Sequence, residues 1–324
     1  MTMTRHTMQA IHVHQYGGPE QLKLEQIPRP EPQAGEVLVR VHAAGVLPAD
    51  WKRQQGFFKD YFPVTFPYIP GSAVAGVVEA VGPGVTAFQP GQAVFGRSTN
   101  GAYAEYTTTA VEPPALTPKT FSLLALKPEA LSFAEAATLS GGATTAWTAL
   151  FGDGELQAGQ RVLIHGAAGG VGLYAVQFAK WKGAQVIGTA STANVDFVRS
   201  LGAEIVIDYT TMPFEQVGSE VDLVLDTIGG ETLRRSMEVV KPGGRLVSLL
   251  EYPSQEKAQE RGIRALKNAA TPTNEHLRAI AHLIEEGPVR VIVGKTFPLH
   301  EARQAHELSQ RGHGRGRIVL QIAA

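Results

Sequence analysis

From about residue 8 to residue 135 the chain is written in short runs of alternating apolar and polar positions. "MQAIHVHQYG" alternates and then meets a Gly-Gly-Pro turn, and "LKLEQIPRPEP" is a short strand ended by prolines. "GEVLVRVHAAGV" is a longer alternating strand, and "AVAGVVEAVGPGV" and "AVFG" follow, each bounded by glycine or proline. Short strands with close turn signals predict a β-rich barrel-like or sandwich domain. From about residue 134 the texture changes. "FAEAATLSGGATTAWTALF" has helical spacing, and then strands and helices alternate: "RVLIHG", "VGLYAVQFAKWKG", "QVIGTA", "NVDFVRSLG", "EIVIDY", "VDLVLDTIG", "ETLRRSMEVVKPGG" and "RLVSLL". These strands are short, apolar and without period-two alternation, as in a parallel sheet covered by helices on both faces. After about residue 290 strand and turn texture returns around one helix, "LHEARQAHELSQRG". The pattern predicts an α/β protein. A β-rich domain takes 1–135 and 291–324, and a doubly wound parallel-sheet domain takes 136–290.

A length of 324 residues exceeds what one hydrophobic core usually serves, in keeping with two domains. With 44% apolar and 18% charged residues the composition is that of an ordinary soluble globular protein. The net charge of -1 and the lack of a long basic run argue against nucleic acid and an anionic membrane as partners. The basic segment "RGHGRGR", Arg311 to Arg317, reads as a glycine-rich turn entering the strand "IVLQI". No segment is long and apolar enough to span a bilayer, and "MTMTRHTMQA" lacks the apolar core of a signal peptide. The expectation is a cytoplasmic protein whose first six or seven residues are loose. The absence of cysteine removes disulfides, thiolate nucleophiles and every cysteine-based zinc site, and the ten histidines show no ligand spacing such as H-E-x-x-H. No metal is expected.

"VLIHGAAGGVGLYAVQFAK", Val162 to Lys180, places four glycines between a strand and a helix that closes at Gly183. There the free N–H groups and the helix dipole favour an anion. Gly166 allows the tight turn, Gly169 and Gly170 let a pyrophosphate approach the backbone, and Gly172 lets the helix pack on the strand. The pattern is G-x-x-G-G-x-G. Ala168 and Val171 stand where the stricter dinucleotide fingerprint has glycines, yet repeating βα units around it favour dinucleotide binding by the whole turn over a packing role. An NAD site usually carries an acid near the end of the second strand. Here that strand ends "IGTASTAN", with no acid before Asp196. Ser191, Thr192 and Asn194 could accept a 2′-phosphate, so NADPH is favoured over NADH, although no lysine or arginine falls in that loop.

"VLIHGAAGGVGLYAVQFAK", "VRSLGAEIVIDY", "VLDTIGGETL" and "VVKPGGRLVS" resemble the zinc-free branch of the medium-chain dehydrogenase/reductase superfamily. The most similar groups are NADPH-dependent quinone oxidoreductases, zeta-crystallin-like proteins and enone oxidoreductases. The resemblance runs through both domains and includes "GEVLVRVHAAGV", "PGSAVAGVVEAVGPGV", "NGAYAEY", "LALKPEALSFAEAATL" and "GRGRIVL". It implies a discontinuous GroES-like catalytic domain, an inserted Rossmann NADPH-binding domain, an active site in the cleft between them, and a homodimer. It further implies cofactor contacts from Thr145, Tyr209, Thr227, Ile228, Gly229, Leu249 with its neighbours Ser248 and Leu250, and Arg317, which stands where related chains often carry a lysine. The segment "VEPPALTPKTFSLLALKP" (111–128) is longer than the connection usual in the family.

The sequence departs from the family after the third strand. Related chains read "G-x-N-P-x-D-W-K", and this chain reads "GVLPADWK", so Leu47 occupies the asparagine position. Lys52 matches the enone-reductase pattern, in which the lysine approaches the nicotinamide ribose, and Phe58 replaces a tyrosine. "GFFKDYFPVTFPYIP", Gly56 to Pro70, carries many aromatics that could line a flat apolar pocket suited to a quinone or aryl enone. The mechanism this resemblance implies passes hydride from NADPH to a conjugated carbonyl, with the proton expected from solvent, Tyr61 or Lys52. The alternative, favoured by Leu47, is an NADPH-binding protein with little catalysis, acting as a redox sensor or in a recruited structural role. Alcohol or sugar dehydrogenation is disfavoured by the lack of zinc ligands.

Overall fold

The computed structural model describes residues 7–98, 100–111, 123–312 and 314–323. In chain order its strands and helices are β1 (Thr7–His12), β2 (Lys23–Pro28), β3 (Glu36–Val46), α1 (Pro48–Gln54), β4 (Ala73–Val81), β5 (Ala93–Arg97), β6 (Tyr106–Ala110), β7 (Leu123–Leu126) and α2 (Phe133–Thr138). There follow α3 (Thr144–Trp147), β8 (Arg161–Ile164), α4 (Gly172–Trp181), β9 (Gln185–Ala190), α5 (Val195–Ser200), β10 (Ile205–Asp208), β11 (Val221–Asp226), α6 (Gly230–Ser236), β12 (Val240–Ser248), α7 (Gln255–Glu260) and β13 (Arg264–Lys267). The chain ends with α8 (Asn274–Glu285), β14 (Val293–Pro298), α9 (Ala302–Arg311) and β15 (Arg317–Gln321). The expectations of a loose N-terminus and of an inserted loop fall largely on 1–6 and 112–122, outside the described residues.

The first compact unit is Met1–Gly141, Thr273–Glu285 and Val291–Ala324, and the second is Gly142–Pro272 and Glu286–Arg290. The first differs from the sequence-based division in gaining 136–141 and α8. In α8, Leu277, Ile280, Ala281 and Leu283 are buried, and the Asn274 side chain accepts from Leu124 N at 3.0 Å.

The first unit is built on a sheet in the order β14-β15-β3-β4-β5-β7, with β6 also pairing β3 and β1-β2 forming a separate hairpin. All pairs are antiparallel except β14 with β15. Its GroES-like core collects Val37, Val39, Val41, Val74, Val94 and Phe95 with Leu320. β3 alternates less cleanly in burial than in sequence, because it is central. Leu38 and Ala43 are buried too, and His42 stacks on Phe133 of α2 with ring centroids 4.2 Å apart. The run "FAEAATLSGGATTAWTALF" is not one helix. Ser140 (ψ 124°) and Gly141 (φ +79°) break it, and only glycine adopts that second conformation without strain.

The second unit is a six-stranded parallel sheet in the order β10-β9-β8-β11-β12-β13. Counted from β8, this is the 3-2-1-4-5-6 order of the dinucleotide-binding Rossmann fold. β12 starts earlier than the sequence predicts, at Val240 rather than Arg245, across a register shift between Val221 and Leu223. Leu163, Ile187, Ile207, Val224 and Leu246 fill the sheet's core, which is why these strands read as unbroken apolar runs.

Candidate active site

In the second unit, the carboxyl ends of β8 and β11 meet at the point where the strand order reverses. Thr227 Oγ1 donates to the His165 carbonyl at 2.8 Å, and Thr189 Oγ1 accepts from Gly166 N at 3.2 Å. His165 is buried, with Nε2 2.9 Å from Ser236 Oγ and Nδ1 3.2 Å from Thr189 Oγ1. Burial pushes its imidazole down to about 4, so the ring is neutral and ties the end of β8 to β9 and α6.

The turn that follows fits a phosphate. Gly166 has φ +67°, and Gly169 N closes on Gly166 O at 2.9 Å. A Cβ on Gly172 would lie 2.2 Å from Gly166 O, so the first turn of α4 packs directly on backbone. The amides of Gly170 and Val171, half-exposed just ahead of α4, have no acceptor among the described residues. They are free donors at a helix N-terminus, the arrangement that takes a pyrophosphate. Ala168 is buried beneath them.

At the end of β9, Asn194 is buried, its Nδ2 donating to Ser191 Oγ at 3.1 Å. The acid missing there stands on the adjacent strand instead. Asp208, in register with Ala190, accepts from Thr210 N at 3.0 Å and Thr210 Oγ1 at 2.7 Å. Hydrogen bonds from Thr192 and Thr210 hold its carboxyl below the usual range. Tyr209 follows, exposed at the end of β10. Sequence reading missed Asp208 because its strand pairing is not visible in the chain.

At the end of β11, buried Asp226 accepts from Ile228 N and Gly229 N at 3.0 Å each and from Ser248 Oγ at 3.0 Å. One carboxylate thus fixes the Thr227–Gly229 loop to the tip of β12, where Leu249 N also bonds the Asp226 carbonyl at 2.9 Å. Ile228 and Leu250 are left exposed on this edge. Thr145 is half-buried on α3. Arg317 lies in the first unit, buried in β15, where Nη2 donates to Gly141 O at 2.6 Å.

In the first unit, α1 borders a cavity of about 300 Å³ whose wall includes Asp50, Arg53, Phe58, Phe62, Tyr68 and Arg97. Two of its polar groups are unspent. The Arg97 guanidinium makes no hydrogen bond or ion pair, and Tyr68 Oη has no partner, among the described residues. Burial pushes the Tyr68 phenol up to about 12. Asp50 is buried at the start of α1, where Oδ2 accepts from Leu47 N at 2.8 Å and Tyr103 Oη lies 3.2 Å away. Burial raises its carboxyl to about 6, against the pull of Leu47 N–H, Arg97, Tyr103 and Arg317. Trp51 Nε1 donates to Ser309 Oγ at 3.2 Å, which anchors α1 on α9.

Leu47 is itself buried. A Cβ on Gly141 would meet Leu47 Cδ1 at 2.7 Å, so the leucine fills the space left by that glycine. Neither predicted proton source lines the cavity. Tyr61 is 81% exposed, and Lys52 Nζ stands 5.6 Å from the Trp51 ring centroid. The polar residues that do line it, Asp50, Arg97 and Tyr68, with Tyr103 behind Asp50, carry no recognisable spacing and converge only through the fold. Among the described residues one group has metal-ligand character: His12 Nδ1 and His14 Nε2 lie 2.8 and 2.7 Å from the two oxygens of Glu25 on the β1-β2 hairpin. The sequence reading found no ligand spacing because this trio is assembled by strand pairing.

Residues 33–118 match the alcohol dehydrogenase GroES-like domain family, and 201–320 match the zinc-binding dehydrogenase family. The chain is 36% identical over 335 residues to the quinone oxidoreductase of Mus musculus, covering 97% of each. It is 35% identical over 327 residues to the chloroplastic NADPH-dependent alkenal/one oxidoreductase of Arabidopsis thaliana, covering 97% of this chain and 79% of that one. Among solved structures it is similar to the quinone oxidoreductase from Coxiella burnetii, with a TM-score of 0.86 and 34% identity over 98% of this chain and 100% of that chain.

Proposed function

Because this chain belongs to the medium-chain dehydrogenase/reductase superfamily and is an oxidoreductase, we propose that it reduces quinones or α,β-unsaturated carbonyls with NADPH, by hydride transfer without zinc. The observation that carries this reading is the cavity of the first unit. Aromatic rings at Phe58, Phe62 and Tyr68 supply flat apolar walls, and the unspent donors of Arg97 and Tyr68 match a carbonyl oxygen. An apolar wall with a few convergent donors orients a conjugated carbonyl and excludes water from it. The absence of cysteine supports chemistry without zinc, since the usual thiolate ligands are missing.

When bound, the dinucleotide supplies the hydride. Gly166, Ala168, Gly169, Gly170, Val171 and Gly172 would hold its pyrophosphate. Thr227, Ile228 and Gly229 with Leu249 would line its ribose and nicotinamide end, and Ser191, Asn194 and Tyr209 its adenosine end. Thr145 and Arg317 complete the set expected from the family. NADPH is preferred over NADH on two grounds. No acid falls between the end of β9 and Asp196 in α5, and Asp208 on the neighbouring strand is already spent on two threonines. The likeness to an alkenal/one oxidoreductase named as NADPH-dependent supports the same choice.

The test is titration of the purified protein with NADPH and with NADH, followed by cofactor absorbance, with and without phenanthrenequinone and then with a panel of enones. Oxidation of NADPH that depends on the quinone or enone is expected. Tight NADPH binding with no turnover on either panel would overturn the reductase and leave a nucleotide-binding protein.

A further inference from the structure

We propose that Asp50 is the proton donor of this reductase, giving its proton to the substrate from Oδ1 while Tyr103 moves its hydroxyl hydrogen to Oδ2 to hold the charge left behind. The inference rests on the reductase reading of the cavity and replaces Lys52 and Tyr61 as the acid.

The proton positions follow from which groups can only accept. Gln54 Nε2 donates to the Gly18 carbonyl, which has no hydrogen to give, so the amide orientation is fixed. Gln54 Oε1 therefore faces His306 Nδ1 at 2.9 Å, and Nδ1 must carry the imidazole hydrogen. His306 is buried, and burial pushes the ring down to about 4, so it is neutral and Nε2 is a bare acceptor. Nε2 lies 3.2 Å from Tyr103 Oη, and the same oxygen lies 3.2 Å from Asp50 Oδ2. Tyr103 has a single hydroxyl hydrogen and two acceptors competing for it. The fully buried phenol is itself pushed well above its ordinary value, so it does not ionise.

That competition ties the hydroxyl to the charge on Asp50. When Asp50 is a neutral acid, Oδ2 is a weak acceptor already served by Leu47 N–H at 2.8 Å, and Tyr103 donates to His306. When Asp50 is a carboxylate, Oδ2 is the stronger acceptor and takes the hydrogen from His306. Oδ1 has no hydrogen-bond partner among the described residues, and Asp50 borders the cavity, so Oδ1 is the oxygen left to face a substrate. The charged and titratable groups around this carboxyl are Arg53 on α1, Arg97 on β5, Arg317 on β15, His306 on α9, and Tyr68 and Tyr103 from the loops. None is acidic.

The balance closes. A conjugated carbonyl that accepts a hydride becomes an oxyanion, which the Arg97 guanidinium is placed to neutralise. The O–H bond of Asp50 breaks, its electron pair stays on Asp50, and the proton ends on the reduced substrate. Hydride plus proton make a two-electron reduction, and Asp50 regains a proton from water once product leaves. Tyr103 and His306 are positioning residues.

Asp50→Asn keeps an acceptor for Leu47 N–H and so retains the start of α1; its thermal unfolding is checked first. Infrared difference spectra of the cofactor-free protein are then recorded between pH 5 and pH 8. A carboxylic-acid C=O band is expected in the wild type at the lower pH, fading as pH rises and absent in Asp50→Asn. In turnover, Asp50→Asn is expected to lose about 10²–10⁴-fold in kcat. Tyr103→Phe, which removes the hydrogen that stabilises the carboxylate, is expected to move the alkaline limb of the kcat profile to higher pH. A merely structural Tyr103 would not do this. If the wild type reduces neither quinones nor enones, the reductase reading fails while the infrared band still reports on Asp50. If the wild type turns over and Asp50→Asn stays within threefold with the same pH limb, or if no band distinguishes the two proteins, the proton-donor proposal is overturned.

Discussion

Replacing Gly172 by alanine tests the phosphate cradle at its tightest point. The added Cβ would sit 2.2 Å from Gly166 O and 2.7 Å from the Ala167 Cα, both backbone atoms that cannot rotate aside. Carbon and carbonyl oxygen normally approach to about 3.3 Å, so the start of α4 or the turn must retreat by roughly 1 Å. Overpacking of this kind costs about 1–3 kcal/mol of stability. The same retreat displaces the Gly170 and Val171 amides, whose hydrogen bonds to a phosphate weaken steeply with distance and angle. A loss of at least tenfold in dinucleotide affinity is expected, equivalent to about 1.4 kcal/mol. Denaturant unfolding of the cofactor-free protein reads the first quantity, and calorimetric titration with NADPH reads the second. Gly314→Ala is the control, because its Cβ would meet nothing within 4 Å. If Gly172→Ala matched that control in midpoint and in Kd, the close approach between helix and turn would not be what shapes the site.

Further outcomes follow from the buried polar groups. His165 and His306 are both depressed to about 4 by burial, so each contributes stability that is present above pH 6.5 and lost as pH falls through about 4. Linkage puts this at roughly 3 kcal/mol each. Asp50 has the opposite sign: its raised carboxyl adds stability as pH falls from about 6 to below 3.8, again roughly 3 kcal/mol. His306 and Asp50 share the first unit and offset one another, so hydrogen exchange on acidification should rise first in the second unit; equal onset in both units would contradict this. Asp226→Ala strands three donors, Ile228 N, Gly229 N and Ser248 Oγ, and should cost about 3–5 kcal/mol and weaken NADPH binding. A thermal midpoint within a degree or two of wild type would refute that role. Leu47→Asn puts an amide into the space against Gly141 and should destabilise by about 2–4 kcal/mol without raising kcat. A faster enzyme would show that the leucine suppresses catalysis.

Local pattern made the second unit readable. Its strands are apolar because both faces are covered, and its helices follow at the spacing a parallel crossover needs. β13, "RALK", escaped because an edge strand of four residues with two cations has no apolar run to show. α8 escaped because its apolar stripe, Leu277, Ile280, Ala281 and Leu283, lies among charges and histidines. The glycine turn was legible because two of its glycines answer local needs, a positive φ at 166 and a backbone contact at 172. The cavity was not. Asp50, Arg97 and His306 lie far apart in sequence, and with Tyr103 they come together only after α1, β5 and α9 are packed, which no spacing rule encodes. Lys52 drew attention through its match to the enone-reductase pattern and Tyr61 through its place in the aromatic loop, and neither signal fixes where a side chain points; Tyr61 is 81% exposed. Leu47 stood out as a departure from the family, and its partner in packing, Gly141, could not be paired with it from sequence.

Two buried aspartates show how the fold assigns opposite duties to one residue type. Asp226 and Asp50 are both removed from solvent, at 0% and 7% exposure. Asp226 is met by donors on both oxygens: Ile228 N and Gly229 N on Oδ1, Gly229 N and Ser248 Oγ on Oδ2. Its position at the end of a strand, followed by a Thr-Ile-Gly-Gly turn, guarantees those N–H groups locally. Such a carboxylate serves to hold a loop. Asp50 has one committed donor, Leu47 N–H, and one hydroxyl that it shares with His306, all on Oδ2. Its Oδ1 is left to the cavity, with guanidinium groups nearby but none bonded to it. A carboxyl buried with too few donors holds its proton more tightly, as Asp50 does. The difference is a count of hydrogen-bond donors, set by whether the backbone turns around the side chain or merely runs past it. On the proposed function, it separates the aspartate that holds the Thr227–Gly229 loop from the one proposed to act on a substrate.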